Sequence, residues 1–192
     1  MHSTDSSTPN NRDALSRSRK LSRHLRELAV FAMLGALMLC SKLIMEALPN
    51  IHPLGMLTMV YTLAFRKKAL IPIYLYVFLN GLIAGFSVWW IPYLYIWTIL
   101  WGVTMLLPRN MPNKVAAIVY PAVCALHGML FGILYAPAEA LFFGLNFEET
   151  VAWIIGGIGF DALHTVGNLA AGCFVLPLSI LLRKLAARIE QG

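Results

Sequence analysis

The side chains best suited to chemistry are a run of aromatic residues near the middle of the chain. Residues 86–101 read FSVWWIPYLYIWTILW and contain four of the five tryptophans. Tyr93, Trp97 and Trp101 recur every four residues, so on a helix they lie along one face. Such a group is typical either of the aromatic belt where membrane helices meet water or of a pocket that holds a flat, partly polar ligand. The spacing alone leaves both interpretations open.

A second group consists of polar side chains inside long apolar stretches, where an ionisable or amide group needs a partner or a cavity. They are Lys42, Glu46, Asn80, His127, Asp161, His164 and Asn168. Asp161, His164 and Asn168 are spaced by three and four residues, which places them on one helix face. Lys42 and Glu46 are spaced to form an ion pair on a helix. The set predicts a small-molecule pocket, and an internal network that serves folding alone is the alternative.

Enzymatic chemistry is not expected from the motifs. No GxSxG, HExxH or GxxxxGK[ST] segment occurs, and Asp161 and His164 have no third potential metal ligand at a regular spacing. We therefore expect no catalytic residue, no metal and no cofactor. Cys40, Cys124 and Cys173 stand alone in apolar runs and are expected to be buried free thiols.

The composition predicts the elements that must position these residues. The chain has 192 residues, of which 59% are hydrophobic and 12% are charged, roughly half the charged fraction of a typical soluble domain. Its mean hydropathy is +0.70. We therefore expect an all-α integral membrane protein. The predicted spans cover residues 27–48, 54–65, 69–85, 93–107, 114–135 and 150–182.

The distribution of positive charge predicts the orientation of these six spans. Lys and Arg residues lie in short runs beside the spans, and an arrangement with both termini in the cytoplasm places all of them except Lys42 on the cytoplasmic side. This clustering indicates membrane topology, so no nucleic-acid partner is expected. The same topology puts the intramembrane polar residues in the outer half of the bilayer, at the depth of the aromatic run.

The chain divides into three predicted regions. Residues 1–26 are expected to be a disordered basic tail, in which residues 17–26 could form an amphipathic helix on the membrane surface. Residues 27–186 form the membrane domain, and residues 187–192 a cytoplasmic tail. Within the last span, the glycines at 156, 157 and 159 predict a kink or a helix end, and Pro177 predicts a further bend. The acidic loop at 136–149 is expected to contain a short interfacial helix.

Small residues in the first span complete a pattern that resembles a known family. Ala32 and Ala36 are one turn apart, a spacing that lets two helices approach closely. With six spans, both ends inside and an outer aromatic pocket, residues 27–186 resemble the substrate-binding S component of an energy-coupling factor (ECF) type vitamin uptake transporter. A tight contact within the chain would produce the same alanine spacing.

The resemblance implies a function and a set of partners. An S component in the plasma membrane of a prokaryote captures a vitamin or related micronutrient from outside. Its first helix, here through Ala32, Gly35 and Ala36, packs on a transmembrane coupling subunit, and two ATPase subunits drive it to topple and release substrate inside. The residues that the resemblance places in the lids and walls of the pocket are Asn50, His52, Asn80, Trp89, Trp90, Tyr93, Trp97, His127, Asp161, His164 and Asn168.

The ligand class and two other functions stay open at this point. Asp161 and Glu46 favour a cationic or amine-bearing ligand, whereas Lys42 and the histidines could meet a carboxylate. A membrane scaffold protein without a ligand is one alternative function. A small intramembrane enzyme that uses Asp161 and His164 is the other.

Overall fold

A computed structural model describes residues 11–47 and 51–191 of the chain. The described residues form α-helices joined by short turns, three of which are single turns of 3₁₀-helix. The helices are α1 (Asn11–Ile44), α2 (Leu54–Phe65), α3 (Leu70–Ala84), α4 (Tyr93–Leu106), α5 (Asn113–Met129), α6 (Phe131–Phe143), α7 (Phe147–Gly172) and α8 (Val175–Gln191).

Several of these helical segments are long and apolar enough to cross a membrane. Within the described residues four segments qualify by length and composition, one of them the α2–α3 run Leu54–Ala84, and α7 with α8, which are bent by 50° at a short break, form a fifth when they are taken as one span. Many large apolar side chains point outward along these segments, as in a helix bundle surrounded by lipid. The fold is therefore that of an all-helical, multi-pass membrane protein.

The predicted second and third spans are joined by a single 3₁₀ turn, Arg66–Ala69, at which the chain reverses its direction. His52 precedes α2 and Tyr76 lies in α3, so a straight helix would separate them by about 36 Å. Both rings nevertheless lie beside Trp97, with centroids 6.4 Å and 6.3 Å from it. The reversal occurs at Arg66, whose φ of 55° is the only positive φ of a non-glycine residue in the described ranges. Because α2 and α3 have only 12 and 15 residues, the count of six spans stays a prediction.

Helix α2 forms the centre of the bundle. All of its residues from Leu54 to Leu63 are buried, which fits a helix that is apolar on every side. It packs chiefly against α4 and α8, while α1 packs against α3.

Helix α1 begins at Asn11, well before the predicted start of the first span. Residues 11–26 of the predicted tail are helical and continue the membrane helix, and they include residues 17–26, for which the sequence allowed a helix. Between residues 13 and 26 every side chain is exposed, and the segment contains good helix formers such as Leu and Arg. Residues 1–10 lie outside the described ranges.

The last third of the chain also differs from the sequence prediction. Helix α7 continues through Gly156 and Gly159, so the predicted helix end is absent there. The break lies instead at residues 173–174, four to three positions before Pro177. A proline ring clashes with the carbonyl group four residues earlier, which explains a helix end at Cys173. The predicted bend near Pro177 is confirmed.

The acidic loop is largely helical. Helix α6 covers most of it and nearly continues α5, and Gly144 ends α6 with a φ of 67°. Helix α7 then starts with a capping box: the Asn146 side chain accepts from the Glu149 N–H at 3.0 Å, and the Glu149 carboxylate accepts from the Asn146 N–H at 2.8 Å.

Helices α5 and α7 form the most extensive contact in the bundle and run antiparallel. Small residues allow this close approach. A Cβ atom on Gly128 would lie 2.8 Å from the His164 carbonyl oxygen, and one on Gly172 would lie 2.7 Å from the Pro121 Cα atom. This contact brings the histidines of α5 and α7 to one level of the bundle.

The cysteines only partly follow the prediction. Cys124 is buried in this contact, whereas Cys40 on α1 and Cys173 in the break between α7 and α8 are exposed. All three are free thiols. The expectation of burial fails for Cys40 and Cys173 because both positions face the surroundings of the bundle.

Candidate functional site

Trp97 is the centre of a cluster of aromatic rings, which we call the Trp97 cluster. The indole is 2% exposed and is contacted from the connection before α2 and from α3, α4, α5 and α6. Its ring centroid lies 5.7–6.4 Å from the rings of His52, Tyr76, Tyr93, His127 and Phe131. Single short contacts from five segments mean that the cluster depends on the whole bundle.

Helix α7 adds His164 to this cluster. The imidazole stacks on the Phe131 ring with centroids 4.6 Å apart and lies 5.4 Å from the His52 ring. His127 lies 3.3 Å, through a ring nitrogen, from the Ile96 carbonyl oxygen. Three imidazoles and several aromatic faces therefore surround one small region.

The cluster contains an unusual concentration of buried polar atoms that have no hydrogen-bond partner. Seven such side-chain atoms occur among the described residues, and five belong to the cluster or to its neighbour on α3. These five are His52 Nδ1, Tyr76 Oη, Asn80 Nδ2, Trp97 Nε1 and His164 Nδ1. Each unpaired buried group costs about 1–3 kcal/mol. Buried polar groups in folded proteins normally have partners, so this concentration of unpaired groups needs an explanation.

A turn of aromatic residues covers the cluster on one side. The 3₁₀ turn Val88–Trp90 precedes α4, and the Trp89 ring packs edge-on against Tyr93 at 5.7 Å. The Tyr135 hydroxyl of α6 donates to the Trp89 carbonyl oxygen at 2.6 Å and so fixes this turn. The Tyr135 ring stacks on Trp153 at 6.1 Å. The turn thus closes over the cluster from a position between α4 and α6.

The electrostatic state of the cluster can be described at His52, which lies in the connection before α2. Burial lowers the pKa of this imidazole below its ordinary value of 6.5, and the charge on Lys42 lowers it further. The neutral form, with one donor and one acceptor nitrogen, is therefore the form at pH 7. Within the described residues no three His, Cys, Asp or Glu side chains are placed to hold a metal ion.

Two predicted binding residues on α7 form hydrogen bonds within the bundle. The Asp161 carboxylate accepts from the Gly132 N–H, at 3.0 Å through Oδ1 and 3.2 Å through Oδ2, near the start of α6. A helix N-terminus favours a carboxylate there. Asn168 accepts from the Cys124 thiol at 3.4 Å and donates to the His164 carbonyl oxygen at 3.0 Å. Both of its polar groups are thus engaged within the α5–α7 contact.

Trp90 is likewise held by the framework. Its Nε1 donates to the Val77 carbonyl oxygen at 2.8 Å, and its ring packs edge-on against Phe86. This anchors the turn on α3.

The other predicted positions divide as follows. Asn80 is 1% exposed and lies one turn after Tyr76 on α3. Asn50 lies outside the described residues. Lys42 and Glu46 form the predicted ion pair, with Nζ and Oε1 3.2 Å apart. The structure therefore brings His52, Trp89, Tyr93, Trp97, His127 and His164 together, with Asn80 on the adjoining face of α3.

Sequence reasoning missed Tyr76, Phe131 and Tyr135, which complete the walls. A signal was available for two of them, because His127, Phe131 and Tyr135 recur every four residues. That pattern continues across the junction of α5 and α6. Tyr76 carried no such signal beyond its position one turn before Asn80.

Comparisons of the chain with protein-family models, with curated proteins and with solved structures give no match. The function must therefore be argued from the site itself.

Proposed function

We propose that the chain is the high-affinity substrate-capture subunit of an ECF-type uptake transporter and binds a vitamin or related micronutrient in the Trp97 cluster. The observation that carries this proposal is the set of five buried, unpaired polar atoms among stacked aromatic rings. A protein that used these side chains only for packing would gain stability from apolar replacements. A ligand that pairs with them would offset the cost of keeping them.

The types of polar atom suggest the class of ligand. Trp97 Nε1 and Asn80 Nδ2 can only donate hydrogen bonds, so the ligand must present acceptors to them. Tyr76 and the two imidazoles can either donate or accept. Because the rings offer faces and edges for stacking, a flat nitrogen or oxygen heterocycle fits best.

The cationic-ligand hypothesis loses part of its basis. Asp161 was one of the two carboxylates that favoured a cation, and it is occupied by the Gly132 N–H. The other, Glu46, is paired with Lys42. A neutral heterocycle with several acceptors is therefore the ligand we propose.

The surface of α1 supports a partner contact through two of the three predicted residues. Ala32 and Ala36 are exposed, whereas Gly35 is buried and packs against Leu75 of α3. We therefore propose Ala32 and Ala36 as the contact with the coupling subunit, whereas Gly35 belongs to the α1–α3 contact. With this partner and two ATPase subunits, we propose six spans in a prokaryotic plasma membrane, both termini in the cytoplasm, and release of substrate by toppling.

Native mass spectrometry of the detergent-purified protein tests the binding function first. A stoichiometric small molecule should co-purify, and once it has been removed, adding it back should quench tryptophan fluorescence at submicromolar concentration. The Trp97→Phe variant should lose this quenching, and Trp101→Phe should keep it, because Trp101 lies one turn further along α4 and donates to the Arg66 carbonyl oxygen. A protein that carries nothing and ignores a panel of vitamins would refute the proposal and favour the scaffold function.

A further inference from the structure

A second feature lies at the far end of α2 from the Trp97 cluster. A cavity of about 710 Å³ opens between the middle of α1, the C-terminal ends of α2 and α4, and the second half of α8. Six basic residues and one acidic residue, Glu27, line it. The basic residues are Arg23, Arg66, Lys67, Lys68, Arg109 and Arg183. The cavity therefore has a strong positive charge, of which the Glu27–Lys68 ion pair neutralises only a part.

The deeper wall of this cavity is apolar. The half-buried Val30, Phe65 and Met105 form its surface, and Phe31 and Leu63 are almost fully buried behind them. The cavity thus combines a cationic rim with a wall of membrane-type side chains. A ligand that fits both surfaces has an anionic head and an apolar body.

Two of the guanidinium groups are held in fixed positions by backbone oxygens. Arg66 donates from Nη2 to the Met105 carbonyl oxygen at 2.8 Å, and Arg183 donates from Nε to the Leu63 carbonyl oxygen at 3.0 Å. Both side chains are half-buried, and Arg66 Nη1 is buried without a partner. Fixed guanidinium forks suit the oxygens of a phosphate group better than a mobile ammonium does.

The backbone at Arg66 gives a further indication. Its φ of 55° and ψ of −120° form a conformation that glycine adopts freely and other residues adopt at a cost. An arginine at this position retains the backbone strain that glycine would relieve, and it places a guanidinium group in the cavity. A strained residue of this kind is expected where its side chain has a function.

We propose that this cavity binds the phosphodiester headgroup of an anionic phospholipid, with the acyl chains along the apolar wall. Basic pockets between the ends of transmembrane helices are known to hold anionic lipid headgroups. A free phosphate would satisfy the rim and leave the apolar wall unused.

The test titrates the delipidated full-length protein with dioleoylphosphatidylglycerol or with dioleoylphosphatidylcholine and counts bound lipid by native mass spectrometry. Phosphatidylglycerol should bind at a concentration at least about tenfold lower than phosphatidylcholine. Arg66→Gly relieves the backbone strain, so the variant should fold as well as the parent and still lose that preference. Arg109→Gln, at an exposed lining position, should weaken it without altering the turn. Lys114→Gln removes a charge at the same end outside the cavity and should leave it unchanged.

The outcomes separate a lipid site from a site for a soluble anion and from unspecific lipid binding. Equal binding of the two lipids, or an unchanged preference in both Arg66→Gly and Arg109→Gln, would overturn the proposal. Displacement of phosphatidylglycerol by an excess of inorganic phosphate would assign the site to a soluble anion and would equally refute a lipid site. A preference that survives phosphate and disappears in Arg66→Gly supports it.

Discussion

A pair of tyrosine-to-phenylalanine substitutions tests whether the unpaired polar groups serve a ligand, because Tyr76 and Tyr61 differ mainly in whether the hydroxyl has a partner. Both side chains are at most 1% exposed. The Tyr76 hydroxyl is unpaired, whereas the Tyr61 hydroxyl donates to the Leu34 carbonyl oxygen at 3.0 Å. Each substitution removes one oxygen atom and leaves the ring in place. The two changes should therefore affect the free energy of unfolding with opposite signs.

The magnitudes follow from the two environments. Tyr76→Phe removes a buried unpaired hydroxyl and should stabilise the ligand-free protein by about 1 kcal/mol, since such a group costs about 1–3 kcal/mol. Tyr61→Phe removes a satisfied hydrogen bond and should destabilise by about 1 kcal/mol. In a chain of this size each kcal/mol corresponds to about 2–4 °C in Tm. The two variants should therefore differ by roughly 4–8 °C.

The assay is thermal unfolding of the detergent-purified, ligand-free protein, followed by intrinsic tryptophan fluorescence at one scan rate. A ligand titration is then carried out on the same samples. Tyr76→Phe should weaken binding by about threefold to tenfold, because one neutral hydrogen bond to the ligand is lost. Tyr61→Phe should leave affinity unchanged. If both substitutions lower Tm to the same extent and neither affects binding, the unpaired hydroxyl has no functional meaning and the reasoning fails.

Three further predictions use other parts of the structure. Gly132→Ala places a Cβ atom 2.5 Å from Asp161 Oδ2. It should therefore lower the free energy of unfolding by about 1–3 kcal/mol in the same assay. An unchanged stability would show that α6 and α7 can move apart without cost. Burial lowers the pKa of His52 in the folded state, so the unfolded state binds more protons. The free energy of unfolding should therefore fall as the pH drops below about 6.5. His52→Asn should reduce this pH dependence, and an unaltered pH dependence in the variant would exclude His52 as its source. Ala36→Trp should abolish uptake in cells that contain the coupling subunit while leaving ligand binding to the purified protein intact. Gly35→Trp should disrupt the α1–α3 contact and lower both uptake and ligand binding. Loss of ligand binding in Ala36→Trp would contradict the proposed interface.

Part of the site could be predicted from the sequence because residues three or four positions apart lie on one face of a helix. Trp97, His127 and His164 stand out as polar or aromatic residues in apolar runs, and the fold brings their rings together. The convergence of α2 and α3 on Trp97 could not be read in the same way. It depends on the reversal at Arg66. Because residues other than glycine rarely adopt a positive φ, an arginine gives no sign of such a turn in the sequence.

The misplaced residues have a related cause. Asp161 looks like a pocket residue until the junction of α5 and α6 is known, because the amide it pairs with, that of Gly132, becomes available only there. Glycines at 156 and 159 look like helix breakers by the rules of soluble proteins. In a bilayer the backbone has no water to bond with, so a helix through glycine is preferred to an open turn.

The burial of α2 also constrains how the chain can be made. Ten consecutive residues of this helix are buried, and part of its contact surface is α8. The Leu63 carbonyl oxygen accepts from Arg183, a residue that is synthesised 120 positions later. We therefore expect α2 to reach its final packing only after α8 has been synthesised. A chain cut before α8 should leave α2 without that neighbour and should be degraded, even though the cut leaves every residue of the Trp97 cluster in place.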